Sequence, residues 1–291
     1  MFQGVYTALV TPFNADGSID EGALRNLVDA QVAAGIQGLV PMGTTGESPT
    51  VTHEENVRVI EVVADQAAGR LAVIAGTGSN STAEAVRMTG MAQKVGATAT
   101  LQVTPYYNKP TQEGLYRHFT TVADSTDLPV MVYNIQGRTA CNVENETMLR
   151  LAAHPKIVAV KEASGNMAQV MELVSARPSG FGVLSGDDNL TLPIMALGGE
   201  GVVSVAANIA PRLMRELVTA ANEGRIDDAR TLHYRLLPLF KAVFIQTNPI
   251  PIKYALSVRN IISESYRLPL CPLDERDKRK IDAVLDQVKP E

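Results

Sequence analysis

The sequence is poor in cysteine, in long apolar runs and in clustered basic charge, and each deficit excludes a class of protein. Two cysteines, Cys141 and Cys271, stand far apart in 291 residues, which supplies neither a disulfide framework nor a metal-binding cluster. No apolar stretch approaches the ~20 residues of a membrane-spanning helix. A net charge of −5 without basic runs argues against nucleic-acid binding. The first residues lack the charged start of a signal peptide, so we expect a cytoplasmic protein.

Short apolar runs alternate with helical patterns as far as about residue 224. Eight runs are predicted as strands, over residues 5–10, 38–42, 72–75, 99–103, 129–133, 157–160, 182–184 and 201–205. Helices are predicted between most of them, including 20–34, capped by Asp20, and 52–68, opened by a capping box of Thr52 and Glu55. A third helix opens with the same pattern from Ser81 to Glu84.

This alternation predicts a (β/α)8 TIM barrel. An open, doubly wound sheet is the competing architecture, because the number and spacing of strands do not prove closure. The rest of the chain has no strand candidate, and helices are predicted over 225–242, 251–258 and 275–288. We therefore divide the chain into a barrel catalytic domain, 1–224, and a C-terminal helical domain, 225–291, packed against the barrel.

Lys161 is the candidate catalytic residue that the sequence marks first. It ends the apolar run 157–160 and is followed by a Ser-Gly turn at 164–165. An ammonium group at the end of a buried strand is costly to desolvate, so its pKa falls and a nucleophilic amine becomes accessible, as a Schiff-base lysine requires. A lysine that extends into solvent, or one paired with Glu162, would leave the same pattern.

Further polar clusters follow other predicted strands, where a barrel builds its active site. The glycine-flanked loop with Thr44 and Thr45 offers hydroxyl and backbone donors to a carboxylate, although an ordinary turn has the same composition. Tyr133 lies two residues after Met131, on the same face of its predicted strand, so its side chain can point into the mouth of the barrel. Arg138 lies in a glycine-containing loop and could bind a carboxylate through two hydrogen bonds, although a solvated surface arginine would give the same pattern.

Two other patterns do not predict a cofactor or a metal site. The segment 76–79 begins like a dinucleotide-binding loop, but its third glycine is missing. Asp187 and Asp188 are adjacent on an extended chain and point apart, and the histidines are scattered. We expect neither a cofactor nor a metal.

These motifs together resemble the dihydrodipicolinate synthase / N-acetylneuraminate lyase family of class I aldolases, over essentially the whole chain. The superfamily is marked by Gly-Thr-Thr-Gly-Glu at 43–47, by Tyr-Asn at 133–134 and by Lys-Glu at 161–162 with Gly165. The segment 105–115, Pro-Tyr-Tyr-Asn-Lys-Pro-Thr-Gln-Glu-Gly-Leu, and Arg-Thr at 138–139 point to the dihydrodipicolinate synthase branch.

The resemblance implies condensation of pyruvate with L-aspartate 4-semialdehyde to 4-hydroxy-tetrahydrodipicolinate, the first committed step toward diaminopimelate and lysine. Lys161 would form an imine with the ketone of pyruvate. Tyr133 would donate and accept protons, and Thr44 would link it to Tyr107 of a neighbouring subunit. The expected substrate contacts are Thr45 for the pyruvate carboxylate, Arg138 for the semialdehyde carboxylate, and backbone groups of Gly186 and Val203.

The resemblance also implies regulation and assembly. Members inhibited by L-lysine bind it at a dimer interface, and the matching positions are Ser48, His53, Asn80, Glu84 and Tyr106. Pro49 and Asn56 depart from residues common in sensitive members. Gln136 stands where many members have proline, so we expect a freer backbone before Arg138. A dimer is the expected minimal active unit, commonly paired into a tetramer.

Three other functions are compatible with parts of the pattern. Another pyruvate-dependent class I aldolase, such as a sialic-acid or keto-deoxy-sugar-acid lyase, is the nearest, and Arg138 discriminates against it because polyhydroxylated chains do not call for that cation. A barrel that binds ligand without turnover would not need Lys161, Tyr133, Thr44 and Tyr107 together. A pyridoxal-phosphate barrel would show absorption near the visible.

Overall fold

The computed structural model describes residues 2–290, and its centre is a closed barrel of eight parallel strands in sequence order. The strands are β1 Gly4–Ala8, β2 Gly38–Val40, β3 Ala72–Gly76, β4 Ala99–Val103, β5 Val130–Asn134, β6 Ile157–Glu162, β7 Gly182–Ser185 and β8 Gly201–Ser204. All eight predicted strands are present, with ends shifted by at most two residues. Closure confirms the TIM barrel and excludes the open sheet.

The barrel closes where β1 pairs with β8, two strands almost 200 residues apart in sequence. Gly201 has φ 155°, and a Cβ there would lie 1.9 Å from the carbonyl oxygen of Gly4, so the closest approach of the two strands requires glycine. Beyond the strands, the Asn208 amide donates to the carbonyl of Ala8 at 2.7 Å and accepts from the amide of Val10 at 3.2 Å. These bonds hold the two ends of the barrel wall together.

Helices surround the barrel and two of the three predicted N-termini are confirmed. The helices are α1 Glu21–Ala34, α2 His53–Ala67, α3 Thr82–Lys94, α4 Gln112–Asp124, α5 Gln136–Thr139, α6 Asn145–Ala152, α7 Met167–Ala176, α8 Thr191–Ala196, α9 Pro211–Asn222, α10 Ile226–Ala242, α11 Ile250–Val258 and α12 Glu275–Val288. Asp20 accepts a hydrogen bond from the third residue of α1, and Thr52 and Glu55 form the reciprocal capping box of α2.

The capping box predicted at the start of α3 is wrong. Ser81 makes no side-chain capping bond, and the Glu84 carboxylate instead accepts from the hydroxyl of Ser79 and pairs with His53 at 2.7 Å. The Glu84 carboxylate therefore binds Ser79 and His53 instead of the backbone at the start of α3.

The predicted C-terminal helices correspond to α10, α11 and α12, and their apolar faces join the barrel core. Leu236, Ile252 and Leu285, one from each helix, are at most 1% exposed and belong to the same hydrophobic cluster as the strands β1 to β4. Burial of this shared surface is the main term that fixes the helices to the barrel. None of the helices between residues 2 and 290 has the length and apolar character of a membrane crossing. The division at residue 224 stays a prediction.

Candidate active site

Lys161 lies at the carboxyl end of β6 with only 6% of its surface exposed. Burial lowers the pKa of its ammonium group to about 8, against the opposing field of Asp187 and Asp188, while the nearby Arg138 lowers it further. At this pKa about a tenth of the molecules carry a neutral amine at pH 7, far more than an ordinary lysine would. This is the state that nucleophilic attack on a carbonyl requires.

Tyr133 lies beside this amine because β5 and β6 pair in register, with Tyr133 opposite Lys161. The Lys161 Nζ is 4.0 Å from the centre of the phenol ring. Burial raises the pKa of the Tyr133 hydroxyl, and the charge of Arg138 and the nearby Thr44 hydroxyl oppose that shift. The phenol consequently keeps its proton near neutrality and can exchange it only with a correctly placed partner.

Gly186 leaves room for the lysine side chain at the end of β7. A Cβ at this position would lie 2.8 Å from the Cβ of Ala163 and 3.1 Å from both Cγ and Cε of Lys161. Its amide donates to the carbonyl of Glu162 at 2.7 Å, which fixes the backbone there. Val203 is fully buried within β8. The predicted backbone contacts of these two residues with substrate stay predictions.

Thr45 lies in a one-turn 3-10 helix, Thr44–Gly46, that follows β2. Its side chain is 3% exposed, and its hydroxyl accepts a hydrogen bond from the Asn248 amide at 2.9 Å. A hydroxyl that accepts one bond still has its own proton to donate. Thr45 is thus able to donate to an anion, and its predicted contact with the pyruvate carboxylate stays a prediction.

Arg138 lies on α5, a single helical turn, where the sequence predicts a freer backbone because Gln136 replaces proline. The amide of Arg138 donates to the carbonyl of Ile135, and that of Ala140 to Gln136, so the turn is hydrogen-bonded. The guanidinium donates to the backbone carbonyl of Asn248 at 3.4 Å. Most of its donors remain available to a carboxylate.

A cavity of about 300 Å³ is lined by some of the predicted catalytic and substrate-binding residues and by most of the predicted L-lysine-binding residues, but Lys161 and Thr45 are not part of its lining. Thr44, Tyr133 and Arg138 line one part of it. The other part is lined by four of the five residues predicted for L-lysine, namely Ser48, His53, Glu84 and Tyr106. Asn80, the fifth, donates from its amide to the Tyr106 carbonyl at 3.1 Å.

The charged groups in the part of the cavity predicted to bind L-lysine form a chain of contacts that the sequence does not predict. His53 contacts Glu84 through Nε2 and Arg87 through Nδ1, the latter at 2.8 Å. Arg87 is one of the residues that sequence reasoning missed, since a single arginine on an amphipathic helix is ordinary. Arg87 is connected to the Glu84 carboxylate through the His53 ring.

Tyr107 is the one predicted catalytic residue that does not join the others within the chain. It is 91% exposed, has φ 75°, and makes no hydrogen bond to Thr44 or Tyr133 in the described part of the chain. A tyrosine held outward in a left-handed backbone conformation is unusual. Its predicted entry into a neighbouring subunit's site stays a prediction.

The geometry can be compared with known proteins. The model of the dihydrodipicolinate synthetase family matches residues 1–288. The 4-hydroxy-tetrahydrodipicolinate synthase of Thermodesulfovibrio yellowstonii is 52% identical over 285 residues, covering 98% of each chain. The chain belongs to the dihydrodipicolinate synthetase family. The predicted family is therefore confirmed.

Solved structures of family members agree over the full fold. The chloride-inhibited dihydrodipicolinate synthase of Acinetobacter baumannii, complexed with pyruvate, has a TM-score of 0.98 at 40% identity and covers 100% of each chain. The enzyme of Cyanidioschyzon merolae with lysine bound has a TM-score of 0.96 at 41% identity, covering 99% of this chain and 98% of that one. The predicted function as a lyase of the 4-hydroxy-tetrahydrodipicolinate synthase type is confirmed by this family membership.

Two residues of the C-terminal segment at the site were not predicted from the sequence. Asn248 contacts both Thr45 and Arg138, and Lys253 lies fully buried behind the loop that carries Thr45. A lone lysine within the apolar stretch 250–256 was the signal available for Lys253, because such a charge needs a buried partner. Nothing local distinguishes Asn248.

Proposed function

We propose that this chain condenses pyruvate with L-aspartate 4-semialdehyde through an imine on Lys161. The observation that carries the proposal is the buried Lys161 amine, with its pKa lowered to about 8, set 4.0 Å from the ring of Tyr133. Attack of the amine on the pyruvate ketone with loss of water gives an iminium. Its positive charge withdraws electrons, so the methyl group loses a proton and the resulting enamine carbon attacks the aldehyde.

Tyr133 and Thr44 are the proposed proton carriers of this reaction. A hydrogen bond between them would align the phenol, whose proton is firmly held because burial raises its pKa. Thr45 would donate to the pyruvate carboxylate, and Arg138 to the carboxylate of the semialdehyde. Gly186 and Val203 would contact the substrates through their backbones. Arg138 favours an aldehyde that carries a carboxylate over a neutral sugar aldehyde.

Reductive trapping tests the proposal directly. Borohydride added with pyruvate is expected to leave a stable adduct on Lys161, identified by peptide mass. The wild-type protein should then turn over L-aspartate 4-semialdehyde in preference to sugar aldehydes in a coupled assay. Absence of the adduct would contradict the imine, whereas an adduct with equal turnover of sugar aldehydes would contradict the proposed aldehyde substrate.

A dimer, paired into a tetramer, is the assembly that we propose. Tyr107 supports it, because a residue 91% exposed in one chain would be placed beside Thr44 only by a second copy. In such a dimer the tyrosine would extend the Tyr133–Thr44 pair toward solvent.

L-lysine is the proposed regulator of the same cavity. Glu84 would receive an amino group of lysine, and the Tyr106 ring forms part of the wall beside it. Millimolar L-lysine is expected to lower initial rates, and Glu84→Gln to weaken that inhibition about 10-fold or more, as loss of a charge-assisted hydrogen bond does. The proposal would be contradicted if L-lysine left the rates of the wild-type protein unchanged. D-lysine is the matched control ligand and should inhibit less.

A further inference from the structure

Lys253 forms an ion pair with Glu47 in which neither side chain is exposed at all. The Lys253 Nζ lies 2.5 Å from Glu47 Oε1 and 4.3 Å from the centre of the Phe13 ring. Lys253 belongs to α11, in the C-terminal part of the chain, and Glu47 follows β2. Two charges withdrawn from water are costly, so their contact must be maintained whenever the protein is folded.

Glu47 immediately follows the helical turn that carries Thr44 and Thr45. It has φ 57°, in the left-handed region, and its amide donates to the Thr44 carbonyl at 3.1 Å. A non-glycine residue in this conformation persists only where its surroundings hold it. The ion pair with Lys253 stabilises the Glu47 side chain. The preceding backbone is stabilised by the hydroxyl of Thr11, which donates to the Gly46 carbonyl at 2.7 Å.

The segment that begins at Asn248 and leads into α11 also touches both proposed carboxylate-binding residues. The Asn248 side chain donates to the hydroxyl of Thr45, and its backbone carbonyl accepts from Arg138. Lys253 is tied to the same segment, because its amide donates to the carbonyl of Pro249 at 3.0 Å. One short stretch of chain therefore connects the buried ion pair with both binding residues.

We propose that Lys253 and Glu47 are positioning residues, whose buried contact sets Thr44 and Thr45 at the distance from Lys161 that pyruvate requires. This inference rests on the proposed function, since it concerns pyruvate at that site. Neither residue touches substrate in this arrangement, because both are fully buried. Their effect reaches the reaction only through the loop between β2 and α2.

The test measures the pyruvate concentration that half-saturates borohydride trapping on Lys161, together with the thermal midpoint. Glu47→Gln and Lys253→Met are each expected to raise that concentration about 10- to 100-fold, because displacements of about 1 Å have effects of this size. The double variant E47Q/K253M removes both charges, so it is expected to be thermally more stable than K253M, which leaves the buried Glu47 carboxylate unpaired. It should not recover pyruvate saturation, because the contact that sets the loop remains absent.

Arg177→Met is the matched control. Arg177 pairs with Glu200 at 2.6 Å, both largely buried, just before the amino ends of β7 and β8, at the opposite end of the barrel. Its loss should lower the thermal midpoint and leave pyruvate saturation unchanged. The inference is overturned if E47Q and K253M saturate like the wild-type protein, if R177M shifts saturation equally, or if the double variant recovers both properties. Absence of trapping in the wild-type protein would instead overturn the proposed function.

Discussion

Lys161→Met is expected to lower turnover by at least about 10³-fold and to abolish the pyruvate adduct, because the one other buried lysine among residues 2–290 is held in an ion pair. That lysine, Lys253, is fully buried behind the loop and paired with Glu47, whereas Lys161 is 6% exposed. Mass analysis after borohydride treatment is the measurement. Lys241→Met, which alters an exposed lysine on α10, is the control and should retain the adduct. An adduct that survives Lys161→Met would contradict the assignment.

The lowered pKa of Lys161 also predicts two pH dependences. At pH 7 a pKa of about 8 leaves about 300-fold more neutral amine than the ordinary 10.5, and the trapping rate should rise with pH toward a plateau above pH 8. Between pH 8 and 10.5 the unfolded chain holds a proton that the folded chain lacks, so the free energy of unfolding rises with pH. Lys161→Met should remove the contribution of Lys161 to this dependence and stabilise the protein at pH 7 by on the order of 3 kcal/mol.

Tyr133→Phe is expected to separate imine formation from proton transfer. The adduct with pyruvate should still form, while turnover should fall about 10²- to 10⁴-fold, the usual contribution of a positioned acid–base group. Exchange of the pyruvate methyl protons with deuterated water, followed by NMR, measures the affected step. That exchange should slow in the variant by a factor similar to the loss of turnover.

Tyr116→Phe is the control for this measurement, because Tyr116 lies among the helices outside the barrel. The guanidinium of Arg150 lies 4.0 Å from the centre of the Tyr116 ring. Tyr116→Phe should exchange methyl protons at the wild-type rate. Exchange at that rate in Tyr133→Phe would assign the proton transfer to another group. Loss of the adduct as well would show that Tyr133 acts before the imine forms.

The barrel and its lysine could be predicted from the sequence because both leave local marks. A strand buried on both faces must be continuously apolar, and a charge at its end then has no ordinary place in the core. Ile157 through Lys161 shows both marks in a few residues. Eight such runs at regular spacing suffice for a barrel, although closure itself became evident only from the pairing of β1 with β8.

The failures concern side chains whose partners are distant in sequence. Glu84 fits a capping box, yet its carboxylate is taken by Ser79 and by His53, which lies on another helix. Lys253 and Glu47 are 206 residues apart, and the residues around one do not indicate the other as its partner. Local patterns describe what a residue can do nearby, and tertiary packing decides which of several partners it takes.

The distance between Lys253 and Glu47 along the chain has a consequence for synthesis on the ribosome. The loop with Thr44 and Thr45 emerges early, but the lysine that fixes it emerges more than 200 residues later. Contacts of such separation form late because a long loop must be closed first. A nascent chain that has already made most of the barrel should therefore still lack a working pyruvate site, and activity should arise abruptly when α11 leaves the exit tunnel.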